Sequence, residues 1–314
     1  MRIAVAGNGP LAVRLMQALI ESGHEVVGAI QNGRKTRGVK RKLTTMAGAS
    51  LAAESTVVGL AVRHRVPVVW IDRMDEEELA PMRDLKPDLL LVGGFDIILK
   101  KPILALPRLG CVNVHSSLLP RHRGPNPFAA VVLAGETESG VTFHVMDEGI
   151  DTGDILDQFA FPIAPHDTAM DVYNNACDVA GRRVVEVMDR ISREGLNGTP
   201  QDAAKASYDK RPEKEDAYID WTKPALEIER MVRAFRPVPL ARFRYHGHTV
   251  IAGRVQMDGA PATAEPGTIV ALKPFLKVAT GHGTLTMLTA YSIGLLPWVW
   301  PPPWGRPKLG EKVG

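Results

Sequence analysis

The spacing of apolar residues alternates between two periods along the first part of the chain. Residues 2–7 form a short apolar run, turn residues follow at 8–10, and the apolar positions from Leu11 recur at helical spacing. Later stretches repeat this exchange, with strand-like runs at 25–30, 66–70, 88–92 and 140–146 and helical patterns at 51–64, 75–85, 125–135 and 167–193. Such alternation predicts an α/β fold with a doubly wound, mostly parallel sheet.

The pattern changes in the last third of the chain. Residues 196–215 are rich in Gly, Pro, Asp and Lys, and short strand-like runs interrupted by glycine follow to about residue 288. We therefore predict a catalytic domain at 1–195, a linker at 196–215 and a small all-β open barrel at 216–314. Open barrels of this kind commonly bind single-stranded nucleic acid or tRNA.

Composition is that of an ordinary globular protein. Apolar residues make up 45% and charged residues 23% of the 314 positions, and this length suits about two domains. No apolar run approaches the roughly 20 residues that cross a bilayer, so we expect a cytoplasmic protein with no membrane segment. Cys111 and Cys177 lie in apolar surroundings without a CxxC motif or histidine cluster, which favours reduced core thiols and no metal site.

Charge is unevenly distributed. Residues 1–204 carry 22 basic and 25 acidic side chains, a balance of −3, whereas residues 205–314 carry 16 and 10, a balance of +6. A basic second domain favours a polyanionic partner, although a merely soluble surface accounts for the charge equally well. Within the first domain, residues 34–42 hold six cations and no acid. The cations repel one another, and the nearby glycines have low helix propensity. Both effects disfavour a helix, so we predict an exposed loop there.

The strongest chemical signal lies between residues 113 and 154. Asn113 and His115 are two apart on a predicted strand, so their side chains point to the same face. Asp151 follows in a loop between Gly149 and Gly153, where glycines let the backbone pass close to a ligand. An amide, an imidazole and a carboxylate suffice for acyl transfer to an amine: the carboxylate orients the imidazole or takes a proton, and Asn113 and protonated His115 donate to the oxyanion.

A second motif near the amino terminus points to different chemistry. Residues 7–12 fit the loose G-x-G-x-x-G/A pattern of dinucleotide-binding folds. That pattern requires an acidic residue at the end of the second strand, and the chain has Gln31, Asn32 and Gly33 there. Nicotinamide binding is therefore the weaker interpretation.

Three short strings carry a resemblance to a known family. These are N-x-H-x-S-L-L-P at 113–120, Arg-Gly at 123–124 and D-x-G-x-D-x-G-D at 147–154. Together they resemble the signature of the 10-formyltetrahydrofolate-dependent formyltransferases, and the similarity to methionyl-tRNA formyltransferases extends into the second domain. The resemblance implies a Rossmann-like catalytic domain with an OB-like barrel, catalytic roles for Asn113, His115 and Asp151, and 10-formyltetrahydrofolate as co-substrate without a metal.

The same resemblance, with the position of strand ends, selects residues for folate contact. The predicted folate-binding residues are Gly93, Gly94, Phe95, Ser116, Leu118, Leu119, Pro120, Asp147, Gly149 and Ile150. His144 and Asp154 are interpreted as supporting residues outside the catalytic set. Asp96 and Lys100 stand where the family commonly has glycine and proline, so they concern the neighbouring pocket and the choice of acceptor.

The acceptor is predicted from the basic segment. Methionyl-tRNA formyltransferases carry a basic insertion at this place, which implies tRNA contact by Arg34, Lys35, Arg37, Lys40, Arg41 and Lys42. The main prediction is a monomer that formylates the α-amino group of methionyl-tRNA. Formylation of a small-molecule amine such as an amino sugar, hydrolysis of 10-formyltetrahydrofolate, and a catalytically silent RNA-binding protein are the alternatives.

Overall fold

A computed structural model describes residues 1–33, 55–258, 261, 263–292 and 307–314. These residues form two compact units. The first unit contains residues Met1–Pro127, Glu138–Pro162 and Tyr173–Asp209, and the second contains Phe128–Thr137, Ile163–Val172 and Lys210–Gly314. Much of the predicted linker, up to Asp209, thus belongs to the first unit, and the domain boundaries themselves stay predictions.

A seven-stranded sheet forms the centre of the first unit. Its strands are β1 (Arg2–Ala6), β2 (Glu25–Asn32), β3 (Val68–Ile71), β4 (Leu89–Val92), β5 (Gly110–His115), β6 (Glu138–Val145) and β7 (Ile155–Pro162). The spatial order is β3-β2-β1-β4-β5-β6-β7. The first five strands pair in parallel, and β6 and β7 are antiparallel. The predicted mostly parallel sheet is confirmed.

Helices connect these strands. They are α1 (Gly9–Ile20), α2 (Val57–Arg63), α3 (Glu76–Asp84), α4 (Lys101–Leu104), α5 (Pro127–Ala134) and α6 (Ala169–Glu194). Local sequence explains where several begin: Pro10 lies in the first turn of α1, and the side chains of Thr56 and Asp75 accept hydrogen bonds from the first turns of α2 and α3. None of the helices in the described ranges has the length and apolarity needed to span a bilayer.

Burial follows the parallel sheet. All four residues of β4 are buried, as expected for a central parallel strand that is covered on both faces. Cys111 and Cys177 are buried, unpaired thiols, and burial raises the pKa of Cys111 to about 12 and that of Cys177 to about 11. The expectation of inert core thiols agrees with these positions.

The second unit is built on a curled antiparallel sheet. Its elements are helix α7 (Ala225–Ala234) and strands β8 (Arg242–Tyr245), β9 (His248–Asp258), β10 (Ile269–Ala271), β11 (Leu276–Ala279) and β12 (Thr284–Ser292). The strand order is β10-β11-β12-β9-β8, which forms a half-barrel. Phe243, Val278 and Leu285 are fully buried in its core, so the predicted small all-β domain is confirmed.

Candidate active site

Strand pairing brings two of the predicted catalytic residues together with a third polar side chain. Asn113 and His115 lie at the end of β5, where β6 runs antiparallel and pairs Asn113 with His144 and His115 with Thr142. Directly opposed residues of an antiparallel pair share a face. Asn113 Nδ2 accordingly lies 3.1 Å from Nε2 of His144. From the sequence we interpreted His144 as a supporting residue, but the strand register puts it beside Asn113.

The carboxylate of Asp151 completes the cluster. Its Oδ1 accepts a hydrogen bond from Asn113 Nδ2 at 3.3 Å, and its Oδ2 accepts one from the backbone N–H of Gly124 at 2.9 Å. The rings of His115 and His144 lie on either side, with Nδ1 of His115 and Nε2 of His144 each 3.6 Å from a carboxylate oxygen. The structure therefore brings Asn113, His115 and Asp151 together, and their catalytic roles stay a prediction.

Hydrogen-bond partners determine which ring nitrogens carry protons. His115 Nε2 lies 2.8 Å from the carbonyl oxygen of His122, and His144 Nδ1 lies 2.9 Å from that of Val145. Because a carbonyl oxygen only accepts, both of these nitrogens donate. The neutral rings therefore keep their lone pairs at Nδ1 of His115, facing Asp151, and at Nε2 of His144, facing Asn113.

Burial and charge shift the pKa values of the same groups. Burial lowers the pKa of His115, and the nearby carboxylate of Asp151 raises it by a smaller amount. Burial alone would raise the pKa of Asp151, but the Gly124 N–H and the two imidazoles in their protonated forms outweigh it and lower that pKa to about 2. At neutral pH the site thus holds an ionised carboxylate beside a neutral His115.

The Asp151 loop is held by residues from a distant part of the chain. Asp151 has a positive φ of 54°, which is uncommon for a residue other than glycine. Gln201 Nε2 donates to the carbonyl oxygens of Asp151 and Gly153 at 2.9 and 2.8 Å, and its Oε1 accepts from Arg123 at 2.7 Å. The sequence placed Gln201 in a linker, and no local motif marked it as part of the site.

Close contacts within the protein account for glycine at two positions of this loop and at Gly124, whose N–H donates to Asp151. A Cβ at Gly153 would lie 1.9 Å from the carbonyl oxygen of Val145, and one at Gly149 would lie 2.0 Å from Oγ1 of Thr152. Gly124, with φ of 110°, would place a Cβ 2.5 Å from the carbonyl oxygen of Asp209. Close packing within the protein therefore already requires glycine at these positions.

The predicted folate-binding residues differ in exposure. Gly94, Asp147, Gly149 and Ile150 are exposed, Phe95, Leu118 and Pro120 are partly buried, and Gly93, Ser116 and Leu119 are buried. The backbone N–H of Leu119 donates to Oγ1 of Thr142, and Leu118 packs over Gly140, so their loop is fixed against β6. Folate contact by these residues stays a prediction.

A surface pair links the segment after β4 with the Asp151 loop. Lys101 Nζ lies 3.8 Å from a carboxylate oxygen of Glu148, and both side chains are exposed. In the same two segments, two large apolar side chains also face solvent: Ile98 is 68% exposed and Ile150 43% exposed. The sequence had singled out Ile150 but not Ile98, whose exposure no local pattern indicates.

Asp96, which departs from the family pattern, follows the carboxyl end of the parallel strand β4. Oδ1 of Asp96 accepts hydrogen bonds from Asn8 at 3.3 Å and Asn32 at 2.7 Å. At the first turn of α1 the N–H of Leu11 donates to the hydroxyl of Tyr173, and Pro10 has no N–H. An acidic side chain and a capped helix start are poor partners for a phosphate, which weakens the dinucleotide interpretation further.

Two other predictions concern residues and clusters beyond the triad. The predicted tRNA-binding residues of segment 34–42 lie outside the described part of the chain. Among the residues that the structure describes, no group of three or more His, Cys, Asp or Glu side chains could hold a metal ion.

An open, mostly parallel sheet that places an amide, an imidazole and a carboxylate together beyond its carboxyl edge has the arrangement of an α/β enzyme with its ligand site at that edge. Comparison with family models gives the particular family. The model described as formyl transferase matches residues 1–188, and the formyl transferase C-terminal domain matches residues 211–292. The chain belongs to the formyl transferase family.

Solved structures share this fold at low sequence identity. An N-formyltransferase from Helicobacter canadensis, in complex with folinic acid and dTDP-3-aminofucose, is 21% identical with a TM-score of 0.67, over 91% of this chain and 98% of that one. WlaRD, a sugar 3N-formyl transferase crystallised with dTDP and 5-N-formyl-THF, is 20% identical with a TM-score of 0.68, over 94% and 99%. HypX from Aquifex aeolicus, with tetrahydrofolic acid, is 20% identical with a TM-score of 0.62, and this chain spans 44% of its length.

Proposed function

We propose that this chain transfers the formyl group of 10-formyltetrahydrofolate to the primary amine of a small molecule, specifically an amino sugar carried by a nucleotide. The observation that carries the proposal is the convergence of Asn113, His115 and Asp151 within hydrogen-bond or ion-pair reach of one another. The similar N-formyltransferase structures contain a folate derivative with a dTDP-sugar or dTDP, and the match with this chain extends over nearly their full length. This similarity supports an amino sugar as the acceptor.

The protonation states suggest how these residues divide the work. As the free amine attacks the formyl carbon, the carbonyl electron pair moves to oxygen. One Nδ2–H of Asn113, which contacts His144 Nε2 or Asp151 Oδ1 in the structure, then turns to donate to that oxyanion. Nδ1 of neutral His115 takes the proton that the amine loses, and the ionised Asp151 stabilises the imidazolium. His115 then returns this proton to N10 of the folate as the bond from carbon to N10 breaks.

This assignment changes the role expected for His115 from the sequence. There it was expected to donate to the oxyanion as an imidazolium. Its Nε2–H is already committed to the carbonyl oxygen of His122, and its lowered pKa favours the neutral ring. Proton transfer therefore fits this geometry better than oxyanion donation.

The folate is proposed to enter between the Asp151 loop and the segment after β4. Ile98 and Ile150 supply exposed apolar surface there, and burying such surface under a flat pterin ring would be favourable by roughly 25 cal/mol per Å². Lys101 and Glu148 form an exposed ion pair between the two segments, which contributes little to their stability. Phe95, which packs partly on the core behind this segment, would form the inner wall.

Methionyl-tRNA remains the second candidate acceptor. It is favoured by the six cations of segment 34–42 and the +6 balance of residues 205–314. Against it, the two sugar N-formyltransferase structures match this chain over more than 90% of its length, so a C-terminal domain of this fold also occurs in enzymes with small acceptors. The amino sugar is therefore the proposal, and tRNA is a competing outcome of the same assay.

The test supplies the protein with 10-formyltetrahydrofolate and one acceptor at a time. The acceptors are a set of dTDP-linked amino sugars and charged initiator tRNA, and the products are identified by mass spectrometry. We expect an N-formyl amino sugar and an equal amount of tetrahydrofolate. Formylmethionyl-tRNA as the sole product would overturn the small-molecule assignment. Tetrahydrofolate with free formate would indicate hydrolysis, and no turnover together with salt-sensitive RNA binding would indicate the silent RNA-binding alternative.

A further inference from the structure

The proton position on His115 depends on a single backbone carbonyl. His115 is 6% exposed, and its Nε2–H donates to the carbonyl oxygen of His122. A proton at Nε2 leaves Nδ1 as the basic nitrogen, 3.6 Å from Oδ2 of Asp151. If the carbonyl of His122 turned away, Nε2 would lose this acceptor, and the tautomer with the proton on Nδ1 would be favoured by the adjacent carboxylate.

The backbone that presents this carbonyl has an unfavourable conformation. His122 has a positive φ of 58°, which a side chain with a Cβ adopts only when its surroundings hold it. The turn is stabilised from within by Ser117, whose hydroxyl donates to the carbonyl oxygen of Arg121 at 2.8 Å and lies 3.4 Å from that of His122. Contacts from a distant segment add to these.

That segment is residues 207–209, which we call the strap. The backbone N–H of His122 donates to Oγ of Ser207 at 2.8 Å, and Nδ1–H of its ring donates to Oδ2 of Asp209 at 2.8 Å. Backbone hydrogen bonds between Arg123 and the strap, both of 2.9 Å, fix the two segments in register. Side-chain and backbone contacts thus hold His122 from both ends of the strap.

We propose that Asp209 and His122 are positioning residues that set the tautomer of His115 and so make Nδ1 its basic atom. The inference rests on the proposed formyl transfer, because it assigns the atom that receives the amine proton. The His122 side chain is 11% exposed and that of Asp209 35% exposed. The carboxylate of Asp209, 2.8 Å from Nδ1, is the strap's side-chain contact with this ring. The strap acts through the His122 carbonyl and does not touch the reacting atoms.

The first test reads the tautomer without turnover. Two-bond proton–nitrogen correlation spectra of the full-length protein labelled with ¹⁵N-histidine distinguish a protonated from an unprotonated ring nitrogen, and the His115 signals are identified by their loss in His115→Asn. In the wild type, above the ordinary histidine pKa, we expect a proton on Nε2 alone. In Asp209→Ala we expect a mixture of tautomers, with Asp209→Asn intermediate because its amide oxygen still accepts.

The second test uses the same variants in the formylation assay. We expect kcat to fall about tenfold in Asp209→Ala with KM for the folate unchanged, and to recover in part in Asp209→Asn. Asp202→Ala is the matched control, since Asp202 is an exposed acid a few residues before the strap and caps residues 203–205. It should change neither the spectrum nor kcat.

The spectra separate this inference from the proposed function. An unchanged Nε2–H signal of His115 in Asp209→Ala would overturn the inference whatever the enzyme transfers. Should Asp209→Ala fail to fold, Ser207→Ala removes the other contact to His122 and is judged by the same spectrum. A wild-type protein without formyl transfer but with the expected tautomer change would overturn the function and leave the strap assignment standing.

Discussion

The most informative perturbation of the site is Gln201→Ala, because this side chain connects the Asp151 loop to Arg123. It donates to two carbonyls and accepts from the guanidinium. Each neutral hydrogen bond contributes roughly 0.5–1.5 kcal/mol net, and one to a charged group roughly 1.5–3 kcal/mol. Because Gln201 is half-buried, water can replace part of this. We expect the free energy of unfolding to fall by about 2–3 kcal/mol.

In Gln201→Ala, we expect kcat to fall by more than the loss of folding stability alone would cause. Asp151 holds a positive φ, and releasing its carbonyl lets the loop relax away from His115. Displacing a reacting group by about 1 Å costs up to 10²-fold, so kcat should drop about 10–100-fold. Denaturant titration and steady-state formylation measure the two effects.

Two variants serve as controls. Arg123→Ala removes one partner of Gln201 and leaves both carbonyl contacts, so its effect on kcat should be smaller. Gln256→Ala replaces an exposed glutamine on β9. It should leave the free energy of unfolding within about 0.5 kcal/mol of the wild-type value and kcat unchanged. If Gln201→Ala unfolded like the wild type and kept its kcat, the reasoning that this clamp positions Asp151 would be refuted.

Three further predictions test the same site. Asn113→Ala should lower kcat about 10²–10³-fold while denaturation shows little change, and wild-type turnover would remove the oxyanion assignment. The acid limb of kcat/KM should lie below pH 6.5, because the base must be neutral and burial lowers the pKa of His115 from 6.5; a limb above that value would contradict the assignment. Gly153→Ala should destabilise the protein by about 1–3 kcal/mol in denaturation because its Cβ would meet the Val145 carbonyl. Gly23→Ala, whose Cβ has open space, should be neutral.

Much of the site could be anticipated from local pattern. Strand periodicity placed Asn113 and His115 on one face, and the glycine spacing around Asp151 marked a tight loop. Both signals are local, since they depend on the two-residue repeat of a strand and on the backbone freedom of glycine. The structure brings these three side chains together, and their catalytic roles stay a prediction.

Other members of the site could not be read in this way. His144 looked like one more polar position on a strand, and the antiparallel register with β5 set it opposite Asn113. Gln201, Ser207 and Asp209 lay in a stretch with the composition of a linker, yet they hydrogen-bond to the Asp151 loop and to His122. The register of β5 with β6 and the contacts made by residues distant in sequence both depend on the packing of the whole unit.

The sequence by itself determined the alternation of strands and helices, the β-rich second part and the candidate residues of the site. Hydrophobic period and turn residues act over a few positions, so they can be read without knowing the fold. Only the tertiary structure decided the proton positions on His115 and His144, the pKa of Asp151 and the segments that hold its loop. These depend on burial and on partners up to 50 residues away along the chain, which a local pattern does not encode.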